Sequence, residues 1–153
     1  MIALIQRVRS AQVEVGGHIV GKIGRGTLAM VGVERGDGKF QVERILERIL
    51  GYRMFPDSSG RMNRNIGEIQ GGLLLVPQFT LAADTRKGMR PSFSAAAEPV
   101  HGKRLYLSLL ELAQRRHDDV AAGQFGANMQ VYLVNDGPVT FWLQALPTRY
   151  GTD

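Results

Sequence analysis

The sequence predicts an α+β protein: a mixed, largely antiparallel β-sheet with two main helices. Three observations carry this. A chain of 153 residues suits one domain. Strand-like runs outnumber helical stripes, of which there are two. The helices are inserted among strands instead of alternating with them, which argues against a regular βαβ array.

Met1 to Arg9 is rich in Ile, Leu and Val and reads as a strand. Ala11 to Val15 alternates, Gly16-Gly17 supplies a permissive turn, and His18 to Ile23 returns, a hairpin signal. Thr27 to Val33 is nearly all apolar, as expected of a central strand buried on both faces, and Glu34 to Gly38 is a turn. Val42, Ile45, Leu46, Ile49 and Leu50 then fall on one helical stripe, opposite Glu43, Arg44, Glu47 and Arg48, with Gly51 as the stop. Tyr52 to Phe55 reads as a strand and Pro56 to Gly60 as a turn. Beyond Gly71-Gly72, Leu73 to Leu81 is a strong strand, and Ala82 to Pro91 a loop carrying Arg86, Lys87 and Arg90. The second helix spans about Pro99 to His117, with Leu105, Leu109, Leu112 and Ala113 on its apolar face. Met129 to Val134 is a strand that Asn135-Asp136-Gly137-Pro138 breaks and Val139 to Leu143 resumes. The expected domain is 1–146, with 147–153 a flexible C-terminal tail.

Composition narrows the chemistry. With no cysteine, the chain has no disulfide, thiolate metal site or thiol nucleophile. A hydrophobic content of 44% with 22% charged residues is that of a folded globule. No apolar run approaches a membrane span, and the N-terminus lacks a signal layout, so a cytoplasmic protein is expected. The net charge of +5 favours a polyanionic partner, although no block of like charges marks a basic tail.

The individual motifs are modest. His18, His101 and His117 have no metal-ligand spacing, and no metal or cofactor is expected. Lys22 to Gly26 resembles a nucleotide loop but lacks the Gly-Lys-Ser/Thr ending. Gln78 and Thr80 share a face of an extended chain, a polar pair closing an apolar strand, either a site edge or ordinary strand threonine. Gly137-Pro138 fits a tight turn or bulge. Arg86 to Arg90 is either a solvated loop or a phosphate contact.

Taken together, MIALIQRV, LGYRMF, VPQFTLAADTRKGMRPSFS and MQVYLVNDGPVTFWLQ occur in an order and spacing that resemble the D-aminoacyl-tRNA deacylases, over about residues 1 to 145. The resemblance implies a barrel-like core and a homodimer that hydrolyses the ester joining a D-amino acid, or glycine, to the terminal adenosine of tRNA. It implies catalytic or site-lining roles for Gln78, Phe79 and Thr80, which hold the adenosine and the ester. It also implies a cis Gly137-Pro138 that reaches into the partner subunit's site and rejects L-amino acids. Arg7 is implied to fix that loop and Met129 to lie near the pocket. The family commonly has serine where this chain has Pro77, so a serine hydroxyl there is not required if this chain is active. Related deacylases of altered specificity have proline at that place and also change the phenylalanine; here Phe79, Arg7 and the Asn-Asp-Gly-Pro context keep the D-specific pattern. A non-catalytic nucleic-acid-binding protein is the alternative from composition, and an esterase using Thr80 as nucleophile is the alternative chemistry.

Overall fold

The structure, a computed structural model, describes residues 1–146; the expected tail at 147–153 lies outside them. Among the described residues eight strands and two α-helices are formed: β1 Ile2–Val15, β2 His18–Ile23, β3 Gly26–Gly32, α1 Lys39–Gly51, β4 Phe55–Pro56, β5 Met62–Arg64, β6 Gly72–Pro77, α2 Pro99–Arg116, β7 Val120–Ala122 and β8 Gln130–Gln144.

The main sheet runs β2-β1-β3-β6-β7, with β8 along the other side of β1. β1 pairs antiparallel with β2, β3 and β8, while β3–β6 and β6–β7 are parallel, so the sheet is mixed, as expected. The sheet curls until β2 meets β7: a Cβ on Gly21 would stand 2.5 Å from the Ala122 carbonyl oxygen, an approach only glycine permits. The result is a nearly closed barrel. β3 is buried at almost every position, as its unbroken apolar run requires.

Two cores follow from the alternation of side chains across the sheet. One lies between the sheet and the helices, where Ile5, Ala29, Leu73 and Leu75 meet Val42, Ile45, Leu46 and Ile49 of α1 and Leu105, Tyr106 and Leu109 of α2. The other fills the barrel with Val8, Val13, Leu28, Leu74 and Val76. Each buried aliphatic side chain contributes about 1.5–3 kcal/mol. The exposed Arg44–Glu47 pair of α1 is worth only about 0.3–0.5 kcal/mol, so packing holds α1 in place. α1 opens at Gly38, whose N–H donates to Gln41 Oε1 at 2.9 Å.

The Met1 amine is buried. It donates to Asp37 Oδ1 at 2.7 Å, Glu34 Oε2 at 2.8 Å and the Ala145 carbonyl at 2.9 Å. Burial pushes the Asp37 carboxyl above its ordinary range despite the opposing pull of the amine. This cluster joins the start of β1, the turn before α1 and the end of β8.

Three sequence expectations change, and two short strands were not expected. The strand expected over Leu73 to Leu81 ends at Pro77, and Phe79–Ala82 forms a 3-10 turn. Proline has no N–H for a further ladder bond, and Gln78 leaves the extended region (φ −142°, ψ 79°). The strand expected over Tyr52 to Phe55 shrinks to Phe55–Pro56, paired with β5. The break at Asn135 to Pro138 is a lapse in pairing within one strand: Gln6 faces Thr140 and Val8 faces Asn135, so residues 136–139 stand opposite Arg7. β5 and β7 carry too few residues to show a period.

The tightest point of the sheet is Gly26 opposite Gly72, where a Cβ on Gly26 would overlap the Gly72 backbone. Gly26→Ala is expected to cost more than about 4 kcal/mol, read as a lost or much earlier thermal unfolding transition by circular dichroism. A Tm within a few degrees of the parent protein would show that the β3–β6 approach is slack.

Candidate active site

A cavity of about 450 Å³ opens where β3 and β6 end and α2 begins. Its floor is aliphatic, from Val31, Val33 and Val76, and its rim carries Pro77, Gln78 and Phe79. Met129, Phe125 and Tyr106 close the far side. An apolar hollow of this volume with a few polar groups at its edge suits a small-molecule ligand or the end of a larger one.

The local sequence explains the rim. Pro77 ends β6 in the last pair of the β3 ladder, opposite Val31, and two residues beyond the last pairing with β7. The Gln78 N–H still donates to the Val31 carbonyl at 2.8 Å. The chain then turns, leaving Phe79 58% exposed and tilted against Phe93, with ring centroids 5.1 Å apart. The expected sharing of a face by Gln78 and Thr80 is replaced by direct contact: Gln78 Nε2 donates to Thr80 Oγ1 around the turn. Phe79 and Thr80 are the first residues of the 3-10 turn, so their N–H groups have no partner within it, and no backbone acceptor among the described residues takes them.

Met129 is held by a missing side chain. A Cβ on Gly123 would lie 2.8 Å from Met129 Sδ and 3.4 Å from Pro77 Cδ, so the thioether and the proline ring both lie over that glycine. The Tyr106 hydroxyl donates to the Leu75 carbonyl at 3.0 Å and approaches that of Gly123 at 3.3 Å, tying α2 to β6 and the β7 end. Burial pushes its phenol well above the ordinary tyrosine range, so it stays protonated as a donor.

Arg7, Gly137 and Pro138 are brought together elsewhere and line no part of this cavity. Arg7 Nε donates to the Asp136 carbonyl at 2.9 Å and Nη1 to the Met54 carbonyl at 2.8 Å, with Nε 3.7 Å from Asp136 Oδ2. Asn135 closes the neck of the loop: its Oδ1 accepts from the Val139 N–H at 3.1 Å and its Nδ2 donates to Thr140 Oγ1 at 3.0 Å. Gly137 takes φ +135°, the Gly137–Pro138 bond is cis, and both residues are exposed. A side chain at Gly137 would press on Val139 Cγ2 at 2.7 Å and Arg7 Nη2 at 3.0 Å.

Sequence reasoning missed Tyr106, Phe125, Gly102 and Gly123. They are scattered in the chain and only the α2 packing gathers them; Tyr106, one residue past Leu105 on the apolar face, carried the sole signal. The histidines take structural partners: His101 Nε2 lies 2.8 Å from the Asp37 carbonyl oxygen and His117 Nε2 2.7 Å from that of Gly71. Among the described residues no cluster of three or more His, Asp or Glu is placed to hold a metal ion, and no helix is long and apolar enough to cross a membrane.

The model of the D-Tyr-tRNA(Tyr) deacylase family matches residues 4–144. The chain is 66% identical over 149 residues to the D-aminoacyl-tRNA deacylase of Methylococcus capsulatus, covering 97% of each. It is 64% identical over 148 residues to that of Alkalilimnicola ehrlichii, covering 97% of this chain and 99% of the other. A solved structure of the c-Myc DNA Unwinding Element Binding Protein superposes with a TM-score of 0.91 at 36% identity, over 95% of this chain and 99% of that one. The family model spans nearly the whole chain and the two relatives are matched over almost their full lengths, so the chain belongs to the D-Tyr-tRNA(Tyr) deacylase family.

Proposed function

We propose that this chain, by its family a hydrolase of the D-aminoacyl-tRNA ester, works as a homodimer. The cavity beside Pro77 to Phe79 of one copy is completed by Gly137 and Pro138 of the other. The observation carrying this reading is a separation within one chain. Gln78, Phe79 and Met129 edge the cavity, whereas the loop that Arg7 holds stands exposed and lines none of it. Pairing of copies is supported by β8. Its outer edge is unpaired among the described residues, and Tyr132, Val134 and Trp142 are each about half exposed along it.

In this reading the terminal adenosine enters the apolar cavity and its ester lies over the turn at Gln78 to Thr80. Water adds to the ester carbonyl carbon, and the N–H groups of Phe79 and Thr80 receive the oxyanion, at about 3–4 kcal/mol for a well-placed donor. Collapse breaks the bond to the ribose 3′ oxygen, which takes a proton, releasing D-amino acid and tRNA. No His or carboxylate lines the cavity. The adenosine 2′-hydroxyl therefore orients the attacking water, and Thr80, held by Gln78, positions substrate. The Gly137-Pro138 main chain acts as a wall. An L side chain collides with it, a D side chain points to solvent, and glycine passes because it presents only hydrogen.

A second reading follows from the solved neighbour, whose name describes a DNA-element-binding protein. It gives nucleic-acid binding without ester turnover, as the net charge of +5 also allows.

Purified protein is expected to hydrolyse D-tyrosyl-tRNA and glycyl-tRNA, and L-tyrosyl-tRNA at least about 100-fold more slowly; a 2′-deoxy terminal adenosine should slow the D reaction sharply. Binding without turnover would leave the second reading. Thr80→Ala should keep kcat within about tenfold of the parent, whereas a covalent nucleophile would cost about 10⁴ or more. Gly137→Ala, which strains a positive-φ residue against Arg7, should lower the D-over-L ratio about tenfold or more with Tm shifted by only a few degrees. An unchanged ratio would remove the main-chain wall from the account.

A further inference from the structure

The loop between the 3-10 turn and α2 is built as a short arm on the cavity rim. Its two ends are clamped by one antiparallel bridge: the Asp84 N–H donates to the Ser92 carbonyl at 2.7 Å and the Ser92 N–H to the Asp84 carbonyl at 3.0 Å. Phe79 precedes the arm and Phe93 follows it, and their rings meet at a tilt with centroids 5.1 Å apart. Four residues on, the Ala97 N–H donates to the Val33 carbonyl at 3.0 Å, and Ala97, Val33 and Phe79 all line the cavity. Both roots of the arm are therefore set on the site.

The cations on the arm are not equivalent. Asp84 takes Arg86 with both carboxylate oxygens, at 2.9 Å from Nε and 2.7 Å from Nη2, and accepts the Arg86 N–H at 3.0 Å. This contact holds the Asp84 carboxyl down to about 2 and uses the Arg86 charge to shape the loop. Lys87 and Arg90 are exposed and have no carboxylate partner among the described residues. With Asp84, Arg86 and Ser92 they surround a shallow concavity, and Met89 at the tip is fully exposed. Two uncompensated cations thus sit on an arm whose flanking residues Phe79 and Ala97 line the cavity read as the seat of a terminal nucleoside, and the polynucleotide attached to that nucleoside must leave across the rim.

We propose that Lys87 and Arg90 bind backbone phosphates of the single-stranded tRNA end just 5′ of the terminal adenosine, so that the arm sets tRNA affinity without taking part in the ester chemistry. The proposal rests on the tRNA reading above.

The test compares the parent protein with Lys87→Gln/Arg90→Gln and with a control that removes the same charge far along the chain, Lys22→Gln/Lys39→Gln. Kinetics on D-tyrosyl-tRNA are measured from about 50 to about 200 mM salt. The arm variant should raise KM about tenfold at the higher salt with kcat unchanged, and should flatten log KM against log salt by about 1.4, two single-strand phosphate contacts at about 0.7 each. Hydrolysis of 3′-(D-tyrosyl)adenosine, which has no phosphate, should not change. Equal KM and slope in the arm variant and the parent overturn the proposal, as does an equal effect in the control, which would make it a matter of net charge. If the parent protein does not hydrolyse D-tyrosyl-tRNA, the deacylase reading falls instead. Filter binding of the same three proteins to the uncharged tRNA then decides the arm by the same slopes.

Discussion

Strand β1 is paired along both sides for almost its whole length, and this ladder organises the rest of the molecule. Its first half lies between β3 and β8 and its second between β2 and β8, so one strand carries three antiparallel neighbours. Its first half buries Ala3 and Ile5 in the helix-covered core, and beyond the irregularity near Arg7 it buries Val8 and Val13 in the barrel core. Arg7 sits where the β8 ladder lapses, and residues 136–139 are set out against it. A one-residue slip of β8 on β1 would carry Arg7 away from the Asp136 carbonyl and reverse which β8 residues face outward. Register, far from the cavity itself, therefore fixes the loop that the proposed chemistry needs.

The proposed site relies on main chain more than on reactive side chains. Its turn offers N–H groups without intraturn partners, its polar side chains Gln78 and Thr80 are engaged with each other, and its wall is a glycine and a proline. Pro77 suits such a site: its ring Cδ lies over Gly123, as Met129 Sδ does, and it stands two residues beyond the last β6–β7 pair. The lack of cysteine, at first only an exclusion, is consistent with a mechanism that asks for no side-chain nucleophile.

Much of the fold was legible because periodicity reports burial directly. The stripe from Val42 to Ile49 is buried in α1, and the apolar run from Thr27 is the central strand. What was not legible depends on partners distant in the chain. β7 is a strand only because β6 lies beside it. The apolar pattern of residues 73–81 continues past Pro77, but the missing N–H and the 3-10 turn end the strand there. Likewise Asn135 to Pro138 carries breaker residues, yet the Asn135 side chain replaces the lost ladder bonds and keeps the strand continuous. The rim residues Gln78 and Phe79 could be named from a recognisable segment; the cavity behind them, made by Gly102, Tyr106 and Phe125, arises only when α2 packs.

The central claim is that each working site combines the cavity of one copy with the Gly137-Pro138 loop of another, and subunit complementation tests it most directly. One variant fills the cavity, Gly102→Leu, and the other disables the loop, Gly137→Val; both residues lie where a larger side chain has a stated neighbour to meet. Co-folded, the two should recover D-selective hydrolysis that neither has alone, because the mixed dimer contains one intact cavity facing one intact loop. Selective activity no greater than the sum of the separate variants, from a mixture shown to form mixed dimers, would contradict the account and place cavity and loop in service of the same chain.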